Sequence, residues 1–148
     1  MLRTHQFSAL EQRLQALQRQ FEGGDIGERD LVDAFRIFDR PDPALGDHFD
    51  AWLEEFPASY VAHVALSTWL LARAWAFRGG STSDLISDRG RRGLAYYLAQ
   101  AESCARLAVG LSRNPRGMWW REWPAHTETS CHCTTLKRGH GPTGTFWP

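Results

Sequence analysis

The stretch SYVAHVALSTWLLARAWAFRGG, residues 59–80, decides the fold because it predicts a helix with almost no polar face. A helix that is apolar on most sides is buried on most sides, so other helices must surround it. Ser59 is a suitable N-cap, and Gly79 with Gly80 predicts the end of the helix. We expect Trp75 to lie in the core, where truncation to alanine would be among the most destabilising single substitutions.

Four further segments before Pro115 show the three- and four-residue spacing of apolar side chains that is typical of amphipathic helices. Glycines or prolines follow these segments, as expected where helices end, and Gly23 with Gly24 predicts the end of the first one. The sequence therefore predicts an all-α body of about five antiparallel helices within residues 1–115, followed by an irregular tail. The four stripes are Phe7, Leu10, Leu14, Leu17 and Phe21; Leu31, Ala34, Phe35 and Phe38; Leu45, Phe49, Trp52, Leu53 and Phe56; and Leu94, Leu98, Ala101, Ala105, Ala108 and Leu111.

Two parts of this body resemble known helical families. The small residues Ala101, Ala105 and Ala108, followed by Leu111 and the sequence SRNP, resemble the second helix of a tetratricopeptide repeat (TPR). The sequence DPALGDHFDAWLEEFPASYVAHVALSTWLLARAWAFRGG, residues 42–80, resembles an uncharacterised bacterial family of domains of unknown function and is DUF4034-like. The resemblances imply TPR-like helical hairpins in the body. They imply no catalytic residues in this chain.

Charge and hydropathy restrict the classes of partner. The 17 basic and 17 acidic residues give a formal net charge of zero, which argues against nucleic acid or anionic lipid as the partner. The N-terminal sequence lacks the continuous apolar run of a secretory signal, and His63 and Arg73 interrupt the most apolar segment, residues 60–77. We therefore predict a cytoplasmic protein with no membrane partner, and no cofactor is predicted.

Residues 116–148 differ from the body in composition. They contain four of the seven tryptophans but neither valine nor isoleucine, so this segment cannot build its own core. Sixteen arginines against one lysine indicate a GC-rich gene, and a one-base shift through the codons of MWWREW gives valine and alanine codons. We hypothesise that the tail is disordered or lies outside the ancestral reading frame, which the gene sequence would decide.

The same tail offers a metal-binding alternative. Cys131 and Cys133 flank a histidine, and tetrahedral zinc would need two more ligands, from His126, His140 or Cys104. Zinc ligands more often come from cysteine pairs with two to four residues between them. We therefore favour the interpretation that this cluster of cysteines and histidines arose by chance and binds no metal. A small metal-binding protein or enzyme that uses this cluster remains the alternative function.

A binding surface on the helical body is the favoured prediction. His63 and Arg73 interrupt an apolar helix, so each must either pair with an acidic neighbour or line a groove. Tyr96 and Tyr97 are candidate exposed aromatic residues on the last helix. We expect these four residues to form the binding surface of a protein- or peptide-interaction module, which is favoured over an enzyme.

Two smaller clusters of charged residues are predicted to lie on the solvated surface. The sequence DHFD places His48 between Asp47 and Asp50, an arrangement that could serve acid–base chemistry but lacks a recognisable nucleophile. Arginines 89, 91 and 92 could hold a phosphate at a helix start, but no glycine-rich phosphate loop accompanies them.

Overall fold

The computed structural model describes residues 1–79 and 86–111, and within these ranges the chain is helical with no β-strand. This confirms the predicted all-α fold. Five α-helices are present in the described ranges, and short 3-10 helices at Arg36–Phe38 and Pro43–Leu45 link α2 to α3. The helices are α1 (Phe7–Gly23), α2 (Glu28–Phe35), α3 (Gly46–Glu55), α4 (Tyr60–Arg78) and α5 (Asp88–Leu111).

Local sequence signals explain where the helices begin and end. Gly24 closes α1 with a φ of 83°, a left-handed conformation that glycine adopts without steric cost. The hydroxyl of Ser59 accepts a hydrogen bond of 3.0 Å from the Ala62 amide, which confirms it as the N-cap of α4. Phe38 lies in a 3-10 turn beyond the end of α2, so the second predicted helix is shorter than its apolar stripe.

Aromatic rings form the centre of the core. Phe49 and Trp52 on α3 have no solvent exposure, and the ring of Phe49 lies 5.5 Å from that of Trp69 on α4. Phe38, from the 3-10 turn after α2, adds a ring 5.8 Å from Phe49. This cluster joins α2, α3 and the first half of α4, so removing one of its rings would leave a cavity shared by three elements.

A buried carboxylate connects the same helices by hydrogen bonds. Glu11 on α1 is only 4% exposed. Its carboxylate oxygens accept from Trp52 Nε1 at 3.0 Å, Ser59 Oγ at 2.6 Å and Gln15 Nε2 at 2.7 Å. Because Ser59 is also the N-cap of α4, this polar cluster ties α1 to α3 and to the start of α4.

The second half of α4 packs against α5. Phe77, near the end of α4, stacks on Tyr97 of α5 with ring centroids 5.3 Å apart. The backbone of α5 comes very close there, because a Cβ atom added to Gly93 would lie 2.3 Å from the Phe77 ring. A Cβ atom added to Gly90 would lie 2.9 Å from the Phe77 carbonyl oxygen. The end of α4 thus meets the start of α5, as in an antiparallel hairpin with glycine at the close approach.

The prediction for Trp75 was wrong. Its side chain is 52% exposed. Sequence periodicity placed it on the same side of α4 as Val61 and Val64, which are buried. The continuous core cluster, however, takes its α4 residues from Val61 to Leu70 and extends no further along the helix. Trp75 therefore lies beyond the part of α4 that α1, α2 and α3 cover.

The described helices include none with the length and hydropathy needed to cross a bilayer.

The predicted tail, residues 116–148, lies outside the described residues, so its assignment as an irregular segment stays a prediction. The boundary at Pro115 and the reading-frame hypothesis also stay predictions, as does the TPR-like character of the hairpins.

Candidate functional site

A groove of about 190 Å³ opens between α1, α2 and α4. We call it the α2–α4 groove. Its walls are mostly aliphatic and aromatic, and polar side chains are interspersed among them, as in many ligand-binding pockets. The residues that line it are Gln18 from α1; Leu31, Val32 and Phe35 from α2; Arg36 and Asp39 from the segment after α2; and Tyr60, Val64, Thr68 and Leu71 from α4.

One stripe of α4 forms a long wall of this groove. Tyr60, Val64, Thr68 and Leu71 follow one another at spacings of four, four and three residues, so they share one face of the helix. Trp75 lies four residues after Leu71 and extends this face by one turn. From Tyr60 to Trp75 the stripe is roughly 22 Å long, at 1.5 Å per residue.

The exposed end of the stripe carries a tryptophan and an arginine in contact. The guanidinium carbon of Arg78 lies 5.3 Å from the centroid of the Trp75 ring, which is a cation–π distance. Arg78 is only partly buried. The apolar wall therefore passes from the sheltered groove to a large aromatic surface that faces solvent.

Gln18, which is one of the lining residues, has an unsatisfied polar atom. Its side chain is only 6% exposed, and its Oε1 makes no hydrogen bond within the described residues. Its Nε2 donates to Glu22 Oε1 at 2.9 Å, so flipping the amide would set two oxygens against each other. The buried atom is therefore an acceptor, and leaving it without a donor costs about 1 to 3 kcal/mol.

The phenol of Tyr60 lies in a negative environment. Burial, reinforced by the Glu22 carboxylate, raises the pKa of Tyr60 to about 12. The phenol is protonated at neutral pH, as an unperturbed tyrosine also is, so it keeps its hydrogen as a donor. Thr68 already donates its hydroxyl to the Val64 carbonyl at 2.9 Å, which leaves its oxygen as an acceptor.

Three carboxylates and one guanidinium surround the groove. Arg36 forms an ion pair of 3.2 Å with Asp33. In the described part of the chain, no ion pair involves Glu22 or Asp39. The charges of Arg36 and Asp33 offset each other, so the remaining charge at this rim is negative.

Arg73, one of the predicted binding residues, holds three segments together. Its Nη1 donates to the Pro41 carbonyl at 2.9 Å and its Nη2 to the Tyr97 hydroxyl at 3.4 Å. Its guanidinium carbon also lies 5.4 Å from the Phe77 ring centroid and 5.2 Å from that of Tyr97. Arg73 thus links α4 and α5 to the segment before α3, and its hydrogen-bond partners here are a carbonyl and a phenol.

The structure brings Arg73, Tyr96 and Tyr97 together. Tyr96 is 52% exposed, while Tyr97 is partly buried and lies 5.2 Å from it in an edge-to-face arrangement. Burial and the neighbouring Tyr97 raise the pKa of Tyr96. The role of these residues in binding stays a prediction, and Tyr96 is the one whose ring is open to a partner.

His63 does not join this cluster. It is buried near the start of α4, about 15 Å along the helix from Arg73 at 1.5 Å per residue. Its Nε2 lies 3.2 Å from the Pro57 carbonyl, and its Nδ1 has no hydrogen-bond partner among the described residues. Burial lowers the pKa of His63, and the bond to Pro57 opposes this shift. The predicted binding surface is therefore two separate places, each anchored by a proline carbonyl.

The two clusters that the sequence analysis assigned to the solvated surface, around His48 and around Arg91, contact other residues of the domain. The ring of His48 meets that of His5 at 5.0 Å, and burial, together with Asp47 and Glu54, raises the pKa of Asp50 to about 6. In the arginine cluster, Arg91 donates to the Ile86 carbonyl at 2.6 Å and forms an ion pair with Asp88 in the first turn of α5.

The metal alternative falls mainly on the tail. Cys131, Cys133, His126 and His140 all lie outside the described residues, and Cys104 is buried in the core. Within residues 1–79 and 86–111, no group of three or more histidine, cysteine, aspartate or glutamate side chains is placed to hold a metal.

A comparison with family models identifies the body of the chain. A model described as "Domain of unknown function (DUF4034)" matches residues 1–112. The chain belongs to this family. Comparisons with curated proteins and with solved structures found no match.

The match spans the helices that form the α2–α4 groove, which is therefore a feature of the DUF4034 part of the chain. Sequence reasoning missed this groove, because its residues are scattered between positions 18 and 71 and come from several elements. One signal was available: the spacing of Tyr60, Val64, Thr68, Leu71 and Trp75 along one face of α4.

Proposed function

We propose that this DUF4034 domain is a protein- or peptide-interaction module whose partner binds along the α2–α4 groove. The observation that carries the proposal is the exposure of Trp75, which helical spacing places one turn after Leu71 on the face of α4 that lines the groove. A partner that fills the groove and covers this ring would remove apolar surface from water, which is the main driving force of most protein association.

The residue types along the groove support this function. Tryptophan, tyrosine and arginine dominate the energetically important positions of protein interfaces, and Trp75, Tyr60 and Arg78 lie on one face of α4. The guanidinium of Arg78 already lies over the Trp75 ring, so the two side chains form one composite surface. An amphipathic peptide laid into a groove between helices is a common mode of recognition.

The size of the groove also favours a peptide side chain as the ligand. Its volume of about 190 Å³ is smaller than the roughly 300 to 1,000 Å³ of pockets for drug-sized molecules. One or two apolar side chains would fit inside, and the rest of the segment would lie along the open part of the stripe. The α4 stripe, roughly 22 Å long, would match about 15 residues of a helical partner.

Selection from a displayed library tests the proposal. Random peptides of about 12 residues are selected against the full chain and then tested on Leu71→Glu and Trp75→Ala. The first variant places a charge inside the groove, and the second removes the exposed ring. We expect the selected peptides to lose binding to both variants.

Leu107→Glu is the matched control, because it places the same charge on an exposed leucine of α5. Circular dichroism of each variant checks that the helices are intact. The proposal fails if no peptide is enriched, or if the enriched peptides bind Leu71→Glu and Trp75→Ala as well as the wild-type protein.

A further inference from the structure

We infer that the α2–α4 groove selects a basic amphipathic peptide, in which an apolar anchor side chain is flanked by lysine or arginine. This inference rests on the proposed function and adds the chemistry of the partner. It follows from the carboxylates beside the groove and from the unsatisfied acceptor at its wall.

The charge around the groove is the first line of support. Asp39 lines the groove, and Glu22 lies beside it in hydrogen-bond contact with Gln18. Arg36 is paired with Asp33, so it offsets neither Glu22 nor Asp39. Cationic groups on a partner would complement this rim, whereas an acidic peptide would be repelled.

The hydrogen-bonding capacity of the groove is the second line of support. The Oε1 of Gln18 is a buried acceptor that has no donor among the described residues, and Gln18 is one of the residues that line the groove. Ammonium and guanidinium groups supply donors and no acceptors, so the lysine or arginine side chains of a basic peptide could donate to this acceptor.

A measurement with three synthetic peptides tests the inference. Each peptide has about 12 residues and the same leucine and phenylalanine anchors, and the flanking positions are all lysine, all serine or all glutamate. Binding to the full chain is measured by fluorescence anisotropy at about 50 mM and about 500 mM salt. We expect the lysine peptide to bind about tenfold more tightly than the serine peptide at low salt, and this advantage to shrink at high salt.

Substitutions of the two carboxylates locate the effect. In the double variant Glu22→Gln/Asp39→Asn, the lysine peptide should lose most of its advantage, while the serine peptide keeps its affinity within about twofold. Glu22→Gln retains an oxygen that can accept from Gln18, so the groove wall is preserved. Asp25→Asn, on an exposed turn outside the groove lining, is the matched control and should leave the preference unchanged.

The outcomes separate the inference from the proposed function. If the three peptides bind equally, or the glutamate peptide binds most tightly, the inference is wrong and the interaction function survives. If none binds, the inference is wrong, and the library selection separately decides the interaction function. Analytical sedimentation of the full chain tests whether a second copy of the chain occupies the groove instead. A dimer that Leu71→Glu converts to a monomer would show that it does, and this result would overturn the inference.

Gln18→Met tests the role of the buried acceptor. Methionine has a similar shape, so the groove wall is retained while the unsatisfied oxygen is removed. We expect the melting temperature of the free protein to stay the same or rise, and the affinity for the lysine peptide to fall several-fold. An unchanged affinity would show that Gln18 makes no bond to the partner and would remove this line of support.

Discussion

The two halves of α4 are both rich in apolar residues, but they have different surroundings. From Val61 to Leu70 every residue but one is buried, and the partners are α1, α2, α3 and α5. From Leu71 to Arg78 only Ala72 and Ala74 are buried, and Trp75 is half exposed. An apolar helix is therefore no guarantee of burial along its whole length.

The difference arises from how far the neighbouring helices reach. The three helices that precede α4 contain 17, 8 and 10 residues, and the core they form ends on α4 at Leu70. The second half relies on α5, which meets it at Phe77 through Gly90 and Gly93. Trp75 is half exposed there, one turn beyond the part of α4 that lines the α2–α4 groove.

The largest contrast is expected between two tryptophans. Trp52→Ala should lower the free energy of unfolding by about 3 to 5 kcal/mol, because it removes a fully buried ring and the hydrogen bond to Glu11. Trp75→Ala should cost about 1 kcal/mol or less, since its ring is half exposed. Urea denaturation of both variants checks this, and a cost for Trp75→Ala that equals that of Trp52→Ala would show that the second half of α4 is as well packed as the first.

The next effect concerns the polar cluster that fixes the start of α4. Glu11→Ala should cost about 2 to 3 kcal/mol, because it leaves Trp52 Nε1 and Ser59 Oγ without their buried acceptor. Glu102→Ala is the control, since Glu102 forms an ion pair with the exposed Arg106 that is worth little. Equal stability losses in thermal melts of the two variants would mean that the Glu11 cluster contributes nothing beyond a surface contact.

Two glycines of α5 test the contact that supports the second half of α4. Gly93→Ala should destabilise by about 1 to 3 kcal/mol, because its Cβ would collide with the Phe77 ring. Gly110→Ala has open space around its Cβ and should stabilise by up to about 1 kcal/mol through helix propensity. The denaturation midpoints of the two variants test this prediction. If both substitutions change the stability in the same direction, the packing of α5 on Phe77 is contradicted.

The smallest effect is a pH dependence in the region that covers the first half of α4. The pKa of Asp50 is raised to about 6 from 3.8, so between these values the folded state binds more protons than the unfolded state. Stability from this group is present at low pH and is lost as the pH rises through about 6. Asp50→Asn should therefore raise the melting temperature at pH 7 by about 1 to 3 °C.

The same comparison near pH 4 provides the internal control for Asp50. There the carboxyl is mostly protonated in the folded state, so Asp50→Asn and the wild-type protein should melt at nearly the same temperature. Asp25→Asn, on an exposed turn, should show neither effect. A difference at pH 7 that persists unchanged at pH 4 would point to a cause other than the ionisation of Asp50.

The features that were predicted correctly depend on local sequence. The end of α1 at Gly24 and the N-cap at Ser59 are set by a few adjacent residues, so the sequence was sufficient to predict them. The burial of Trp75 depends on the lengths of other helices, which periodicity along α4 does not contain. Periodicity reports which residues share a face and leaves open whether anything covers that face.

The candidate site was harder to predict for the same reason. Gln18 appears as an ordinary polar residue on the first helix, and its burial in the groove wall becomes visible only when α2 and α4 are in place. Arg73 was expected to pair with an acidic residue or line a groove, whereas it donates to the Pro41 carbonyl. Such a contact, between positions 32 residues apart, has no signature in the sequence around either residue.

Fluorine NMR of the full chain labelled with 5-fluorotryptophan tests the central claim most directly, because Trp75 and Trp52 report on the two halves. The resonance of Trp75 is assigned with Trp75→Phe and followed as the lysine-flanked peptide is added. The interaction function at the α2–α4 groove predicts that the Trp75 resonance shifts to saturation, while those of Trp52 and Trp69 remain in place. A bound peptide that leaves Trp75 unmoved, or that shifts Trp52 and Trp69 equally, would contradict it.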